Sequence, residues 1–339
     1  MECRRLARAG EVSAPRPGSA CGSAFSRHRP AAILSDSLNA IPRISIVIPS
    51  LNQGRFIEET IRSILDQTWL DLELIIMDGG STDDTLDVIR KYESSIAYWI
   101  SEADDGQADA INKGLQKATG DIVTWFGADD IYAKGIFAAV AEVWQRRPGA
   151  IYAAPVANFY SRGREQLVRP FGLVIENVVQ YWRRCSRWHD PGLFWSRSVI
   201  DAVGAIDVSL RYSFDYDFLI RALQHASVEY IDHVAAGFRL HRQSKTISQT
   251  EQMMAETAAV SRRYWPLVKN LDHEGFERSE FEARLRRAAS KLLRFDREGL
   301  PLLSACLRKH PIATPIRVAW LFPMVILERL GRLRPGRHT

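Results

Sequence analysis

From Ile44 onward the sequence switches repeatedly between two periods, and that alternation constrains the fold more than any other feature. "ISIVIP" (Ile44–Pro49) is a short β-branched apolar run, whereas Ile57, Ile61, Ile64 and Leu65 recur at helical spacing. "LELIIMD" (Leu72–Asp78) reads as a second strand, with Ser81 or Thr82 suited to cap a helix carrying Leu86, Val88 and Ile89. "IAYWIS" (Ile96–Ser101) reads as a third, followed by a helix marked by Ile111, Leu115 and Ala118, and "DIVTWF" (Asp121–Phe126) as a fourth. Strands separated by helices of this length require crossover connections. The expected class is therefore α/β, a mostly parallel sheet flanked by helices.

In such sheets ligands bind beyond the carboxyl ends of the strands. The first strand ends in Ser50 and Asn52, the second in Asp78 with Gly79 and Gly80, the third in Glu102, Asp104 and Asp105. The fourth runs into "VTWFGADDIY", where Asp129 and Asp130 stand side by side. Adjacent carboxylates repel unless a cation sits near them. So acidic a rim would repel a bare phosphate, but it would accept a nucleotide diphosphate with Mg²⁺ or Mn²⁺ between, because these ions are commonly held by one or two carboxylates plus substrate phosphates. Taken singly, Asp129–Asp130 also fits a solvated turn ahead of a helix, and "DGGSTDDT" (Asp78–Thr85) fits a glycine turn with a capped helix. Their succession, each closing a βα unit, favours a ligand site. No GxGxxG follows the first strand and no Walker lysine motif occurs, which disfavours dinucleotide and P-loop sites.

The 339 residues are 46% apolar and 25% charged, ordinary for a water-soluble chain of one large or two modest domains. The four cysteines form no CxxC pair, so no zinc site is expected. The net charge of +5 hides a split: residues 1–40 carry six arginines against three acids, and residues 261–339 carry seventeen Lys and Arg against eight acids. The middle is thus acidic and the basic excess lies in the extensions, which argues against nucleic acid and for an anionic membrane surface. Residues 1–40 lack periodicity and are expected to be disordered. Pro311–Leu327 is apolar but holds Arg317 and three prolines, and Arg329, Arg332, Arg334 and Arg337 follow it. Core, interfacial and broken transmembrane helices all stay open; the arginines favour the interfacial one. The expected localisation is cytoplasmic, at the inner face of the membrane if the tail engages lipid.

Together, "SIVIPSLNQGRFIEETIRSILDQT", "LELIIMDGGSTDDT" and "DDGQADAINKGLQKATGDIVTWFGADD" resemble family 2 glycosyltransferases, inverting enzymes of GT-A fold. The resemblance runs from about Ile44 to Thr246. It implies a GT-A domain over 41–250, with a nucleotide-sugar half (41–132) and an acceptor half (133–250), followed by a helical basic extension over 251–339. It also implies a UDP- or GDP-sugar donor. Pro49 and Asn52 match the loop that cups base and ribose, and Asp78 the carboxylate that reads the nucleobase edge, with Ser81 and Asp83 in the loop beneath. Asp109 and Asn112, one turn apart on one face, match the donor-sugar side. Asp129 and Asp130 fall on the metal-binding acidic motif, although Gly127 stands where many relatives have an acid. His189, in "RWHDPG", matches the acceptor side. "SFDYDFLIRAL" matches the base motif, with Phe214 in place of the usual Glu and Asp215 and Asp217 retained. In "GFRLHRQSKT", His241 matches a metal-facing position and Arg242 and Lys245 diphosphate contacts. Asp217 and Arg221 stand at i,i+4 spacing, which leaves Asp215 the freer carboxylate and the expected base, with Asp217 toward the acceptor.

Inverting transfer needs a base for the acceptor hydroxyl and a cation for the leaving diphosphate. The function implied is hexosyl transfer to a saccharide or lipid-linked acceptor, assisted by Mn²⁺ or Mg²⁺, in cell-surface or exopolysaccharide synthesis. Two alternatives are a nucleotidyltransferase, which would release pyrophosphate, and a non-catalytic sugar-binding scaffold, which would bind donor without turnover.

Overall fold

The computed structural model describes residues 41–67, 69, 71–160, 165–241, 244–292 and 299–309. The apolar runs of the sequence become strands β1 (Ile44–Ser50), β2 (Leu72–Asp78), β3 (Tyr98–Ser101) and β4 (Ile122–Trp125). Between them lie helices α1 (Ile57–Leu65), α2 (Thr85–Lys91) and α3 (Gln107–Lys117). β1 pairs in parallel with β2 on one side and β4 on the other, and β2 in parallel with β3. β1 is buried along its whole length, as expected of a central strand covered on both faces. Ile44, Ile46 and Ile48 pack with Ile57, Ile61 and Ile64 of α1 and Leu74 and Ile76 of β2 in one cluster.

The next elements are β5 (Ile131–Tyr132), α4 (Ile136–Arg146), β6 (Ile151–Ala153), β7 (Val156–Tyr160), β8 (Glu165–Val168), α5 (Ile175–Val179) and β9 (Leu193–Ser196). They are followed by α6 (Arg197–Val203), α7 (Phe214–Ala222), β10 (Val228–Tyr230), β11 (Ala236–Leu240), α8 (Lys245–Ser248) and α9 (Thr250–Arg263). The main sheet has the order β10-β6-β9-β4-β1-β2-β3. β9 enters it antiparallel between β4 and β6, so the sheet is parallel except at that strand. A smaller sheet, β5-β11-β7-β8, follows. In it β11 pairs antiparallel with β5, which carries the chain emerging from Asp130. That pairing brings a segment more than a hundred residues downstream against the acidic turn.

The compact unit that contains both sheets runs to Lys269, past the boundary at 250 expected from sequence. The reason is α9, whose Ala258, Val260 and Ser261 are buried and whose Ser261 Oγ donates to the carbonyl of Val179 at 2.8 Å. A second unit begins at Asn270 and holds α10 (His273–Leu292) and α11 (Gly299–Lys309), with Phe281, Leu285 and Cys306 as its apolar contact. Among the described residues no helix is long and apolar enough to cross a membrane. Residues 1–40, Arg242, Pro311–Leu327 and the arginines beyond lie outside the described residues.

Candidate active site

The carboxyl ends of β1, β2 and β4 open a crevice where the sheet order turns from β1 to β4. Pro49 belongs to β1 itself, opposite Met77, rather than to the loop beyond it. The carbonyl of Val47 bonds Phe126 on the β4 side, so the nitrogen of residue 49 faces that side too, where the β1–β4 pairing has already ended. A proline, with no N–H to give, is therefore tolerated.

Two loops are zipped together at the rim. Asn52 adopts φ +53° and its Oδ1 accepts the Thr82 amide at 2.9 Å, while its own amide donates to Ser81 Oγ at 2.7 Å. Asp83 accepts the amides of Gly54 and Thr85, both at 3.0 Å. Burial opposes this carboxylate, but the bonds from Thr85 and Gly54 more than offset it and lower its pKa. Asp78, 2% exposed, takes the amides of Gly80 and Ser81 at 3.1 and 2.8 Å and the hydroxyls of Ser81 and Ser101 at 2.5 and 2.6 Å. Both of its oxygens are committed within the protein. Asp78 thus ties the loop of Gly80 and Ser81 to β3 at the end of β2, with Oδ1 accepting a single bond from Ser81.

The acidic turn is held from three directions. Thr60 Oγ1 of α1 donates to the carbonyl of Asp130 at 2.7 Å. From β11, the Arg239 amide donates to Asp130 Oδ1 at 2.8 Å and its Nε to the carbonyl of Asp129 at 2.8 Å. His241 Nε2 lies 2.8 Å from Asp129 Oδ2. The Arg239 guanidinium also pairs with Glu59 at 2.5 Å and lies 5.0 and 4.9 Å from the rings of Phe56 and Phe159. These bonds leave Asp129 Oδ1 and Asp130 Oδ2 without protein donors among the described residues, and both point at one hole. A Cβ built on Gly127 would lie 2.8 Å from Asp130 Oδ2 and 2.9 Å from Asp129 Oδ1. The glycine that departs from the acidic motif therefore keeps open the space the two carboxylates face. Burial, and next the charge of Asp129, push the Asp130 carboxyl well above its ordinary pKa. No three His, Cys, Asp or Glu side chains converge as a complete ligand set among the described residues. A pair of convergent hard oxygens suits a divalent ion that substrate phosphates complete.

A second acidic pair lies on α7. Asp215, near its first turn, is pushed up to about 6, by burial first, with the charge of Glu256 adding and Lys245 opposing. Asp217 is 3% exposed and accepts Arg221 Nε at 2.8 Å and the Tyr264 hydroxyl at 2.7 Å. Both oxygens thus serve the packing of α7. Asn112 is likewise engaged within the protein. Its amide donates to the carbonyl of Ile206 at 2.9 Å and accepts the Ile206 amide at 2.8 Å, clamping the loop ahead of α7 onto α3 rather than facing a sugar. Asn112→Ala strands both backbone groups of Ile206 and is expected to cost about 1–3 kcal/mol, read as a lower Tm with donor affinity intact. Asp109 pairs with Lys113 at 3.2 Å and accepts the Asp105 amide at 3.2 Å, at the opening of α3. Lys245 Nζ reaches Gln107 Oε1 at 2.9 Å, and burial, then Arg211, lower its pKa.

The sequence reading passed over Asp190 in favour of its neighbour His189. Burial pushes the His189 imidazole down to about 4, and its ring lies 4.6 Å from that of Phe238. Asp190 accepts Trp125 Nε1 at 2.9 Å, while its Oδ1 is buried with no partner among the described residues. Burial and then the charge of Asp215 raise its pKa well above the usual range. Its charge also acts on Asp130, so Asp130, Asp190 and Asp215 form one electrostatic group. "DPG" after His189 was the available signal, but only the fold brings it beside β4 and α7. Arg239 was missed for the same reason.

A family model described as glycosyl transferase family 2 matches residues 45–198. A "PGL/p-HBAD biosynthesis glycosyltransferase" of Mycobacterium bovis (strain BCG / Pasteur 1173P2) is 30% identical over 210 residues, covering 59% of this chain and 77% of the relative. The chain belongs to glycosyl transferase family 2. The glycosyltransferase also shares its fold with S. aureus TarS 1–349 in complex with UDP-GlcNAc, at 16% identity and a TM-score of 0.58 over 85% of this chain and 87% of that one. The mannosyltransferase PcManGT of Pyrobaculum calidifontis, in complex with GDP-Man and Mn²⁺, superposes with a TM-score of 0.54 at 16% identity, over 85% of this chain and 82% of that one. Both likenesses are of fold, and both complexes carry a nucleotide sugar.

Proposed function

We propose that this glycosyltransferase moves a hexosyl group from a UDP- or GDP-sugar to a hydroxyl of a saccharide or lipid-linked acceptor, with inversion, in building a cell-surface or exocellular polysaccharide. The observation that supports the reading is the pair of outward oxygens of Asp129 and Asp130 around Gly127, linked by charge through Asp190 to Asp215. The loops of Asn52, Ser81 and Asp83, with Pro49 and Asp78 beneath, form the floor for base and ribose, and Asp109 flanks the donor. Lys245, which bonds Gln107 Oε1 at 2.9 Å, is the cation we assign to the diphosphate. Asp129 and Asp130, with His241 beside Asp129, would hold a divalent ion, which would supply the positive charge that a departing diphosphate requires. Asp215 takes the proton of the acceptor hydroxyl as that oxygen bonds to the anomeric carbon, and the electrons of the broken C–O bond leave on the diphosphate. His189, neutral at pH 7, and Asp190 line the acceptor side. Because inversion needs one base and no covalent intermediate, the arrangement is sufficient.

The test is a thermal-shift screen of UDP- and GDP-sugars with Mn²⁺, since a ligand that binds the native state raises Tm, followed by product analysis with simple acceptors. A rise with no nucleotide sugar, or product with retained configuration, overturns the reading. The basic extension is proposed to bind anionic membrane. The full chain should then sediment with anionic liposomes at low salt and release at high salt.

A further inference from the structure

Helix α9 lies beyond the segment that the family model matches, yet it holds the start of α7. One oxygen of Glu256 accepts the Arg211 amide at 2.9 Å, and the other accepts the amides of Tyr212 and Ser213 at 2.6 and 2.7 Å. Ser213, which precedes α7, makes no side-chain cap of its own; its hydroxyl instead meets Thr257 Oγ1 at 2.8 Å. Donors at a helix start are ordinarily satisfied by a local Ser, Thr, Asp or Asn. Here a carboxylate from another helix gathers the amides just ahead of the first turn, where its charge also meets the positive end of the helix dipole.

We propose that Glu256 is a positioning residue for Asp215: it fixes the peptides of Arg211–Ser213, and so the direction in which the carboxylate leaves α7, and it holds a negative charge at the start of that helix. The proposal rests on the reading of Asp215 as the base. Charged groups that interact with Asp215 include Glu256 from α9, Asp190 from the turn before β9 and Lys245 from α8. Glu256 favours the protonated acid and Lys245 opposes it, while the charge of Asp215 in turn raises Asp190. Asp190 and Asp215 interact, so the acid limb of the rate profile belongs to the pair.

The experiment compares Glu256→Gln with wild type in kcat, donor KM and the pH dependence of kcat/KM for transfer. The variant keeps size and one accepting oxygen and removes the charge. The expected result is a kcat lower by about 10- to 100-fold, the scale of a misplaced reacting group, with donor KM unchanged. The acid limb should move to lower pH, because loss of a negative neighbour lowers the pKa of Asp215. Thr257→Val, which cuts a hydroxyl contact at the same junction without changing charge, should leave the limb in place. A Glu256→Gln limb that stays where wild type has it would make Glu256 an ordinary helix cap and overturn the proposal. Should that variant not fold, Glu256→Asp decides, since it keeps the charge and shortens the arm: reduced kcat with an unmoved limb is expected, and wild-type kcat overturns the positioning role. Asp215→Asn assayed in parallel separates the two failures. Undiminished transfer there removes the base assignment itself, whereas an inactive Asp215→Asn beside an unaltered Glu256→Gln removes only this proposal.

Discussion

Stripping divalent ions with EDTA is expected to abolish nucleotide-sugar binding, and Mn²⁺ or Mg²⁺ is expected to restore it. The expectation follows from the direction of four carboxylate oxygens. Asp130 Oδ1 is spent on the Arg239 amide and Asp129 Oδ2 on His241, so the remaining pair faces the space above Gly127. A diphosphate brought there without a cation would meet two carboxylates and no matching donor. Asp130→Asn keeps an oxygen for the Arg239 amide and so should fold, but it removes half the charge. Its metal-dependent affinity for donor, measured by calorimetry, should fall about 10- to 100-fold, the loss usual even for groups one step removed from a metal. Gly127→Ala should act similarly by filling the hole, since its Cβ would press on both free oxygens. Tight donor binding in excess chelator would sink the metal assignment, and an unchanged affinity in Asp130→Asn would sink the role of that oxygen.

The first half of the fold was legible because each of its strands is a short, largely apolar run and the helices between them keep an apolar face, so local pattern and final structure agree. The rim acids Asp129 and Asp130 stood out for a related reason: singly they fit a turn ahead of a helix, but acidic turns closing successive βα units point to a shared ligand rim. The later half was harder. β9, "LFWS", is as apolar as any parallel strand, and nothing in its composition says that it enters antiparallel between β4 and β6. Asn112 shows the limit of helical spacing. Its place on one face with Asp109 was correct in kind, but what stands opposite that face is Ile206, a partner 94 residues away. Arg239, Asp190 and Glu256 are invisible for the same physical reason, because each acts through a contact that exists only after distant strands and helices have paired. Asp217 was half legible: its i,i+4 arginine could be read from spacing, whereas the Tyr264 hydroxyl that completes its burial could not.

That completed burial sharpens the contrast expected between the two aspartates of α7. Asp215→Asn preserves size and removes basicity, and it is expected to lower sugar transfer by about 10²–10⁴-fold, the usual contribution of a positioned general base, while donor affinity holds. In wild type, a base pushed up to about 6 is active only above that pH, so transfer should fall as pH drops through that value, and the limb should vanish in the variant. Asp217→Asn should behave in the opposite way. Its carboxylate is 3% exposed and neutralises Arg221, whose Nη2 is already buried without a partner among the described residues. Removing the charge leaves that guanidinium poorly compensated, at a cost of about 2–3 kcal/mol rather than the larger penalty of a wholly buried pair, because Arg221 keeps 22% of its side chain in solvent. The measurable result is a Tm lower by several degrees with most of the turnover retained below the transition. Wild-type transfer by Asp215→Asn would move the base elsewhere in the group of Asp130, Asp190 and Asp215, and Asp190, whose free oxygen already lies within the field of Asp215, would be the next residue to replace.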